Sequence, residues 1–194
     1  MRDIMSIPFV LASASPRRRQ LMTEAGYHFE VDPPDMEEPA PGDSDLADPA
    51  LYAAGLAWRK AAVVAVRHPH ALVLAADTVC AVEGVILGKP IDRADAERMI
   101  RLQEGRDTEV LTGLCLWWVD AREWTGAVET SIVRFRALTD LERTAHLDSN
   151  RWQGKAGAYG VQDHDPFVSV VSGSWSNVVG LPMERLARLL EKVL

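Results

Sequence analysis

An aspartate at position 77 follows a nearly continuous apolar run, Ala71 to Ala76, which is typical of a buried central strand. A carboxylate beside a buried strand is costly unless a cation or a metal pairs with it. In α/β proteins, ligands bind beyond the carboxyl ends of such strands. Asp77 is therefore a candidate to hold a divalent cation or to take a proton from water. Taken alone, the pair Asp77-Thr78 is slightly better explained by an aspartate that simply ends a strand.

A turn of small residues precedes a helix whose first turn carries three arginines. Ser15 and Pro16 predict the start of this helix, and Gly26 predicts its end. The N-terminus of a helix favours anions, whereas the arginines at 17–19 oppose its dipole. This conflict indicates a site where a bound anion compensates the charge, and guanidinium groups suit phosphate. A solvated basic turn explains the segment about equally well.

Two later segments combine lysine with small residues. Lys89 lies between Gly88 and Pro90, where a surface turn is the simpler interpretation and the spacing of a Walker P-loop is absent. Residues 153–162, with the sequence QGKAGAYGVQ, would let a ligand approach the backbone closely. Within them Lys155 adds charge, and Gln162 adds an amide that could read the edge of a base.

The composition is that of an ordinary soluble globular protein, with 194 residues, 47% of them hydrophobic and 25% charged. This length suits one domain spanning residues 1–194. The net charge of -7 disfavours long nucleic acids but not a small anion in a basic pocket. Two cysteines give no disulfide framework, and no apolar stretch has the length of a membrane span. We therefore expect a cytoplasmic protein.

Strand and helix patterns alternate along the chain, which predicts an α/β fold. Thr139 and Glu142 match a capping box at a helix start. A loop rich in Pro, Asp and Glu is expected at 32–49. The sequence predicts helices at 15–26, 49–67, 92–104, from 139 and from 182, and strands at 8–12, 71–76, 79–82, 85–87, 109–119, 128–135 and 167–171.

Six motifs, taken together, resemble those of the Maf nucleotide pyrophosphatases. They occur in order at residues 13–18, 76–78, 88–90, 112–113, 154–162 and 179–182. The resemblance implies a long twisted mixed sheet flanked by helices, with two lobes and a central cleft. It also implies hydrolysis of a nucleoside triphosphate to the monophosphate and pyrophosphate.

The resemblance further implies a role for each candidate residue. Asp77 would be the proton acceptor, and Asp77 with Glu38 would hold a divalent cation, Mg²⁺ or Mn²⁺. The residues expected to line the phosphate channel are Ser13, Arg18, Lys60, Lys89 and Lys155. The residues expected to set the base preference, as in the dTTP/UTP-type branch, are Arg17, Thr78 and Gln162.

Two departures from the family pattern are Gln20, where many members carry Glu, and Asp163, where a glycine commonly follows the glutamine. The second could alter the base pocket. A 7-methyl-GTP-type pyrophosphatase is the alternative enzyme, although that branch carries Trp, Gln and Glu at the three base-preference positions. A non-catalytic nucleotide-binding regulator of septum formation is the other alternative, and it would not need Asp77.

Free nucleoside triphosphates are the expected partners, rather than nucleic-acid polymers or membranes. A homodimer is compatible with the sequence.

Overall fold

The computed structural model describes residues 7–39, 41, 48–161 and 167–193. Over these ranges the chain forms a mixed sheet flanked by helices, which confirms the predicted fold class. The strands are β1 Phe9–Leu11, β2 Glu30–Val31, β3 Leu72–Val82, β4 Val85–Leu87, β5 Asp107–Trp118, β6 Glu123–Phe135 and β7 Val168–Ser172. The helices are α1 Pro16–Glu24, α2 Pro49–Ala65, α3 Arg93–Gln103, α4 Asp140–Asp148, α5 Trp175–Val179 and α6 Met183–Val193. None of the helices in these ranges is both long and apolar enough to cross a membrane.

The sheet has the strand order β2-β1-β3-β5-β6-β7, and β4 pairs with β3. The short strand β1 runs parallel to β2 and β3, whereas the pairs β3–β5, β5–β6 and β6–β7 are antiparallel. The predicted hairpin about Glu83-Gly84 is present as the antiparallel pair β3–β4. The long strands β3 and β5 therefore form the centre of the sheet.

The strand that carries Asp77 is longer than the sequence predicted, and the aspartate lies inside it rather than after its end. Pairing with β1 stops at Leu74, and pairing with β4 begins only at Cys80. In the described part of the chain, no strand therefore pairs with residues 75–79 on this edge of β3. Because β5 continues along the opposite edge, β3 stays extended while its other edge is open to a ligand. The strand whose carboxyl end lies at the open edge is therefore β1, which ends at Leu11, and not β3 as the sequence predicted.

Side chains of β3 alternate between two layers of helices, as the period of a strand requires. Leu72 and Leu74 pack in a cluster with Leu186 and Leu189 of α6. Val73 and Ala75 lie in a separate cluster that contains three alanines of α2. The same alternation turns Asp77 toward α2 and Thr78 toward the opposite layer.

The predicted start signals of two helices, α1 and α4, are confirmed. The Ser15 side chain accepts a hydrogen bond from the backbone N–H of Arg18 at 3.4 Å, which caps α1. The capping box of α4 has both reciprocal bonds between Thr139 and Glu142. The helix α5 was not predicted, since its five residues are too short to show a 3.6-residue period.

A close approach of α2 to β5 depends on Gly113. A Cβ atom at this position would overlap the backbone of Ala53 and lie 2.7 Å from the backbone nitrogen of Ala54. We expect Gly113→Ala to lower the free energy of unfolding by about 2 kcal/mol or more, because backbone must move to relieve the overlap. Urea denaturation measures the change. Gly88→Ala is the matched control, since a Cβ atom there meets nothing within 4 Å; equal stability of the two variants would contradict this packing.

Candidate active site

A cleft of about 860 Å³ runs along the open edge of β3. It reaches both faces of the strand, since Asp77 and Thr78 both line it although their side chains point to opposite layers. The structure thus brings together nine of the residues singled out from the sequence: Ser13, Arg17, Arg18, Glu38, Lys60, Asp77, Thr78, Lys89 and Lys155. Gln162 and Asp163 lie outside the described residues.

Two carboxylates converge on one ammonium group in this cleft. The Nζ atom of Lys60 donates to Oδ1 of Asp77 at 2.5 Å and lies 2.7 Å from Oε1 of Glu38. Lys60 is only 6% exposed, because the inward face of α2 carries it toward β3. Lys60 was predicted to line the phosphate channel. It does line the cleft, but its closest polar partners are the two acidic candidates.

The electrostatic surroundings keep Glu38 ionised. Burial raises the pKa of its carboxyl group, but the hydrogen bond and charge of Lys60 and the charges of Lys89 and Arg18 outweigh burial. The net result is a pKa below the ordinary value of a glutamate. Glu38 therefore presents a negative charge to the cleft over the whole neutral range.

The segment 32–39, which carries Glu38, is held at both of its ends. The Tyr52 hydroxyl of α2 donates to the carbonyl of Pro39 at 2.5 Å. At the other end, Asp32 accepts two bonds of 2.8 Å from the guanidinium of Arg67 and also pairs with His68. These anchors place the acidic loop against α2 and across from Asp77. Sequence reasoning missed them, since each joins residues that are far apart in the chain.

Arg18 lies on the opposite wall of the cleft, where its guanidinium group makes three hydrogen bonds to the protein. Its Nε donates to the carbonyl of Gly180 at 2.7 Å, Nη1 to the hydroxyl of Ser13 at 3.2 Å and Nη2 to the hydroxyl of Thr78 at 3.1 Å. Burial lowers the pKa of Arg18, and the charge of Asp77 opposes this shift. A bound anion was predicted to compensate the arginines of α1. For Arg18, oxygen atoms of the protein already supply part of that compensation.

The segments that carry Lys89 and Lys155 are in contact at Gly157. The backbone N–H of Gly157 donates to the carbonyl of Gly88 at 3.1 Å, which ties the turn of Lys89 to the segment of Lys155. Gly157 has a positive φ of 70°, a conformation that favours glycine. The buried Gln103 donates to its carbonyl at 2.7 Å and fixes the turn from α3. The predicted close approach of the backbone at 153–162 is therefore used, in part, to join two cationic segments.

The donor set around Asp77 fits a divalent cation that completes its coordination with substrate. Asp77 and Glu38 already share one cation, the ammonium of Lys60, so their oxygens face a common position. Within the described ranges, no group of three or more His, Cys, Asp and Glu side chains is arranged as a metal site. Two carboxylates plus phosphate oxygens and water are the usual ligands of Mg²⁺ in nucleotide enzymes.

The mixed sheet flanked by helices, with a basic cleft beside an open strand edge, agrees with the fold that the six motifs implied. The chain belongs to the Maf family: the family model described as Maf-like protein matches residues 8–193. This match confirms the resemblance seen in the six motifs.

Curated relatives match nearly the whole chain. A dTTP/UTP pyrophosphatase of Rhodopirellula baltica is 49% identical over 183 residues, which cover 94% of this chain and 80% of the relative. Proteins of the same name from Caulobacter vibrioides and Deinococcus radiodurans are 45% and 43% identical, and each alignment covers 93% of this chain. The alignments cover 93% and 90% of those two relatives.

Proposed function

We propose that this protein hydrolyses dTTP and UTP to the nucleoside monophosphate and pyrophosphate. The observation that carries the proposal is the convergence of an acidic pair and a cationic wall in one cleft. Asp77 and Glu38 form the pair, and Arg18, Lys89 and Lys155 belong to the wall. The names of the relatives support the choice of substrate.

The cationic residues would bind the triphosphate by charge neutralisation. Lys89 and Lys155 lie on adjoining segments of the cleft, so one polyphosphate chain can reach both. Arg18 is held by three protein oxygens, which fixes its planar fork before substrate arrives. A preorganised cation costs little reorganisation when charge develops on the phosphate in the transition state.

Asp77 would take the proton of the attacking water. The water attacks the α-phosphorus, the bond to the β-phosphate breaks, and pyrophosphate leaves. A carboxylate is a weak base at neutral pH, so positioning and charge neutralisation supply most of the rate enhancement. A divalent cation held by Asp77 and Glu38 would add Lewis-acid stabilisation of the phosphate charge. Lys60 holds the Asp77 carboxylate in one orientation through its 2.5 Å hydrogen bond.

A substrate panel tests the proposal. Purified protein would be incubated with Mg²⁺ and with dTTP, UTP or 7-methyl-GTP, and both products would be measured. We expect pyrophosphate and monophosphate in equal amounts, with dTTP and UTP preferred. A preference for 7-methyl-GTP would instead favour the alternative enzyme. Tight binding of nucleotide without any turnover would favour a non-catalytic regulator.

Replacement of Arg18 by lysine tests the cationic wall. Lysine keeps the charge but loses the planar fork that contacts Ser13, Thr78 and Gly180. We expect kcat/KM for UTP to fall about tenfold or more, since at least one charge-assisted hydrogen bond is lost. Arg19→Lys is the matched control, because Arg19 is exposed one position further along the same helix. Equal activity of the two variants would show that the guanidinium group of Arg18 does not contribute to the active site.

A further inference from the structure

The segment 32–39 borders the cleft without belonging to a strand or a helix. Three of its residues are proline, at positions 33, 34 and 39. Its hydrogen bonds to the rest of the described chain lie at residues 32–33 and 38–39, and residues 34–37 make none. The Glu38 side chain is 42% exposed. Because no ladder of backbone hydrogen bonds fixes this segment, the position of Glu38 depends on what holds the two ends.

Tyr52 of α2 holds the end of the segment that is nearest to Glu38. Its side chain is buried, and its hydroxyl donates at 2.5 Å to the carbonyl of Pro39, the residue directly after Glu38. Proline has no N–H group, so this carbonyl is the backbone group through which Pro39 can be held. The Asp48 side chain caps the start of α2 by accepting from two backbone N–H groups of the first turn. The Tyr52 hydroxyl therefore extends from a fixed turn of helix.

Arg67 holds the other end of the segment through Asp32. Nε and Nη2 of Arg67 each donate to the Asp32 carboxylate at 2.8 Å, and Nη2 also donates to the carbonyl of Pro33 at 3.1 Å. The hydrogen bond from Arg67 is the main cause of the lowered pKa of Asp32, so this carboxylate is charged at neutral pH. Arg67 lies just beyond the end of α2, whereas Tyr52 lies near its start. The two anchors of the segment are therefore set by one helix.

We infer that Tyr52 and the Asp32–Arg67 pair are positioning residues that set the affinity of the cleft for a divalent cation through Glu38. This inference rests on the proposed function, in which Asp77 and Glu38 hold the cation. Two carboxylates bind one cation tightly only when both already face the same point. Without an anchor, the segment would lose conformational entropy when the cation binds, and the affinity would fall by that cost.

The exposure of the Asp32–Arg67 pair separates a role in cation binding from a role in folding. The two side chains are 28% and 40% exposed. Exposed ion pairs contribute little to the stability of a fold. A local segment can nevertheless open while the rest of the protein stays folded. We therefore expect loss of this pair to weaken cation binding while the unfolding transition in urea stays close to that of the wild type.

Binding of Mn²⁺ measures this effect without relying on turnover. Wild-type protein, Tyr52→Phe and Asp32→Ala would be titrated with Mn²⁺ in the presence of α,β-methylene-UTP, whose bond between the α- and β-phosphates cannot be hydrolysed. Electron paramagnetic resonance would report free Mn²⁺. We expect the Kd for Mn²⁺ to rise about tenfold in each variant, as is usual when a partner that orients a metal ligand is removed. The kcat for UTP at saturating Mn²⁺ should fall by a smaller factor.

Each variant has a matched control. Asp107→Ala removes another carboxylate that accepts two hydrogen bonds from one arginine, at 2.7 and 2.8 Å from Arg134. Tyr27→Phe removes the hydroxyl of a tyrosine that packs against Phe9. Neither residue belongs to the segment 32–39 or to α2, so both controls should keep the wild-type Kd for Mn²⁺.

The outcomes separate this inference from the proposed function. Wild-type protein that cleaves no nucleoside triphosphate would overturn both. Wild-type protein that cleaves UTP and binds Mn²⁺, with the same Kd in Tyr52→Phe and Asp32→Ala, would overturn the inference alone. An equal rise of Kd in the two controls would also overturn it. The same holds for a lower kcat at saturating Mn²⁺ with an unchanged Kd, since the anchors would then act on the chemical step.

Discussion

Asp77→Asn is expected to lower kcat for UTP or dTTP at least about a hundredfold, because the amide cannot accept a proton from water. Asparagine has nearly the same shape, so the hydrogen bond from Lys60 to Oδ1 can be kept. Substrate binding should change less than turnover, since the cations that contact phosphate remain. Release of pyrophosphate under single-turnover conditions measures the chemical step directly.

The control for this variant is Asp107→Asn, which removes an exposed carboxylate that pairs with Arg134 at the start of β5. We expect its turnover to match the wild-type value. Thermal unfolding of both variants would show that the fold is intact. Near-normal turnover in Asp77→Asn would mean that Asp77 has no part in proton transfer.

Lys60→Met is expected to lower both stability and activity. Methionine fills a similar volume but leaves Asp77 and Glu38 facing each other without their shared cation. Removing one partner of a buried charge pair is strongly destabilising, and the partial exposure of Glu38 reduces the cost. We therefore expect the free energy of unfolding at pH 7 to fall by about 2 kcal/mol. Urea denaturation provides the measurement.

The pH dependence of the same variant has a definite sign. The lowered pKa of Glu38 stabilises the wild-type fold above pH 4.5, and this contribution is lost as the pH falls through the folded-state pKa. In Lys60→Met that contribution is absent, so the two proteins should approach equal stability as the pH falls through the folded-state pKa of Glu38. Lys192→Met, at an exposed position of α6, should show no such dependence. A deficit that is constant with pH would contradict the charge pairing.

The chemistry of the site was more predictable from sequence than its geometry. Runs of apolar residues and turn residues indicated most strands and helices, because hydrophobic period and capping act locally. They could not show how β1 and β4 pair with β3, or that one edge of β3 is therefore left open around Asp77. Strand pairing depends on residues far apart in the chain, so Asp77 was wrongly expected to follow a strand.

The partners of the candidate residues were also beyond the reach of sequence. Lys60 and Arg18 were selected as cations for phosphate, but their bonds to Asp77 and to the carbonyl of Gly180 join residues widely separated in sequence. A sequence pattern identifies groups able to bind an anion; only the fold shows which protein atoms hold them.

Hydrolysis in water enriched in ¹⁸O tests most directly whether the cleft directs water to the innermost phosphorus. UTP would be cleaved by the wild-type protein in this water, and mass spectrometry would locate the label in the products. Attack at the α-phosphorus puts the heavy oxygen into UMP and leaves pyrophosphate unlabelled, which is the expected result. Label in the pyrophosphate would mean attack at the β-phosphorus, and it would contradict the role assigned to Asp77.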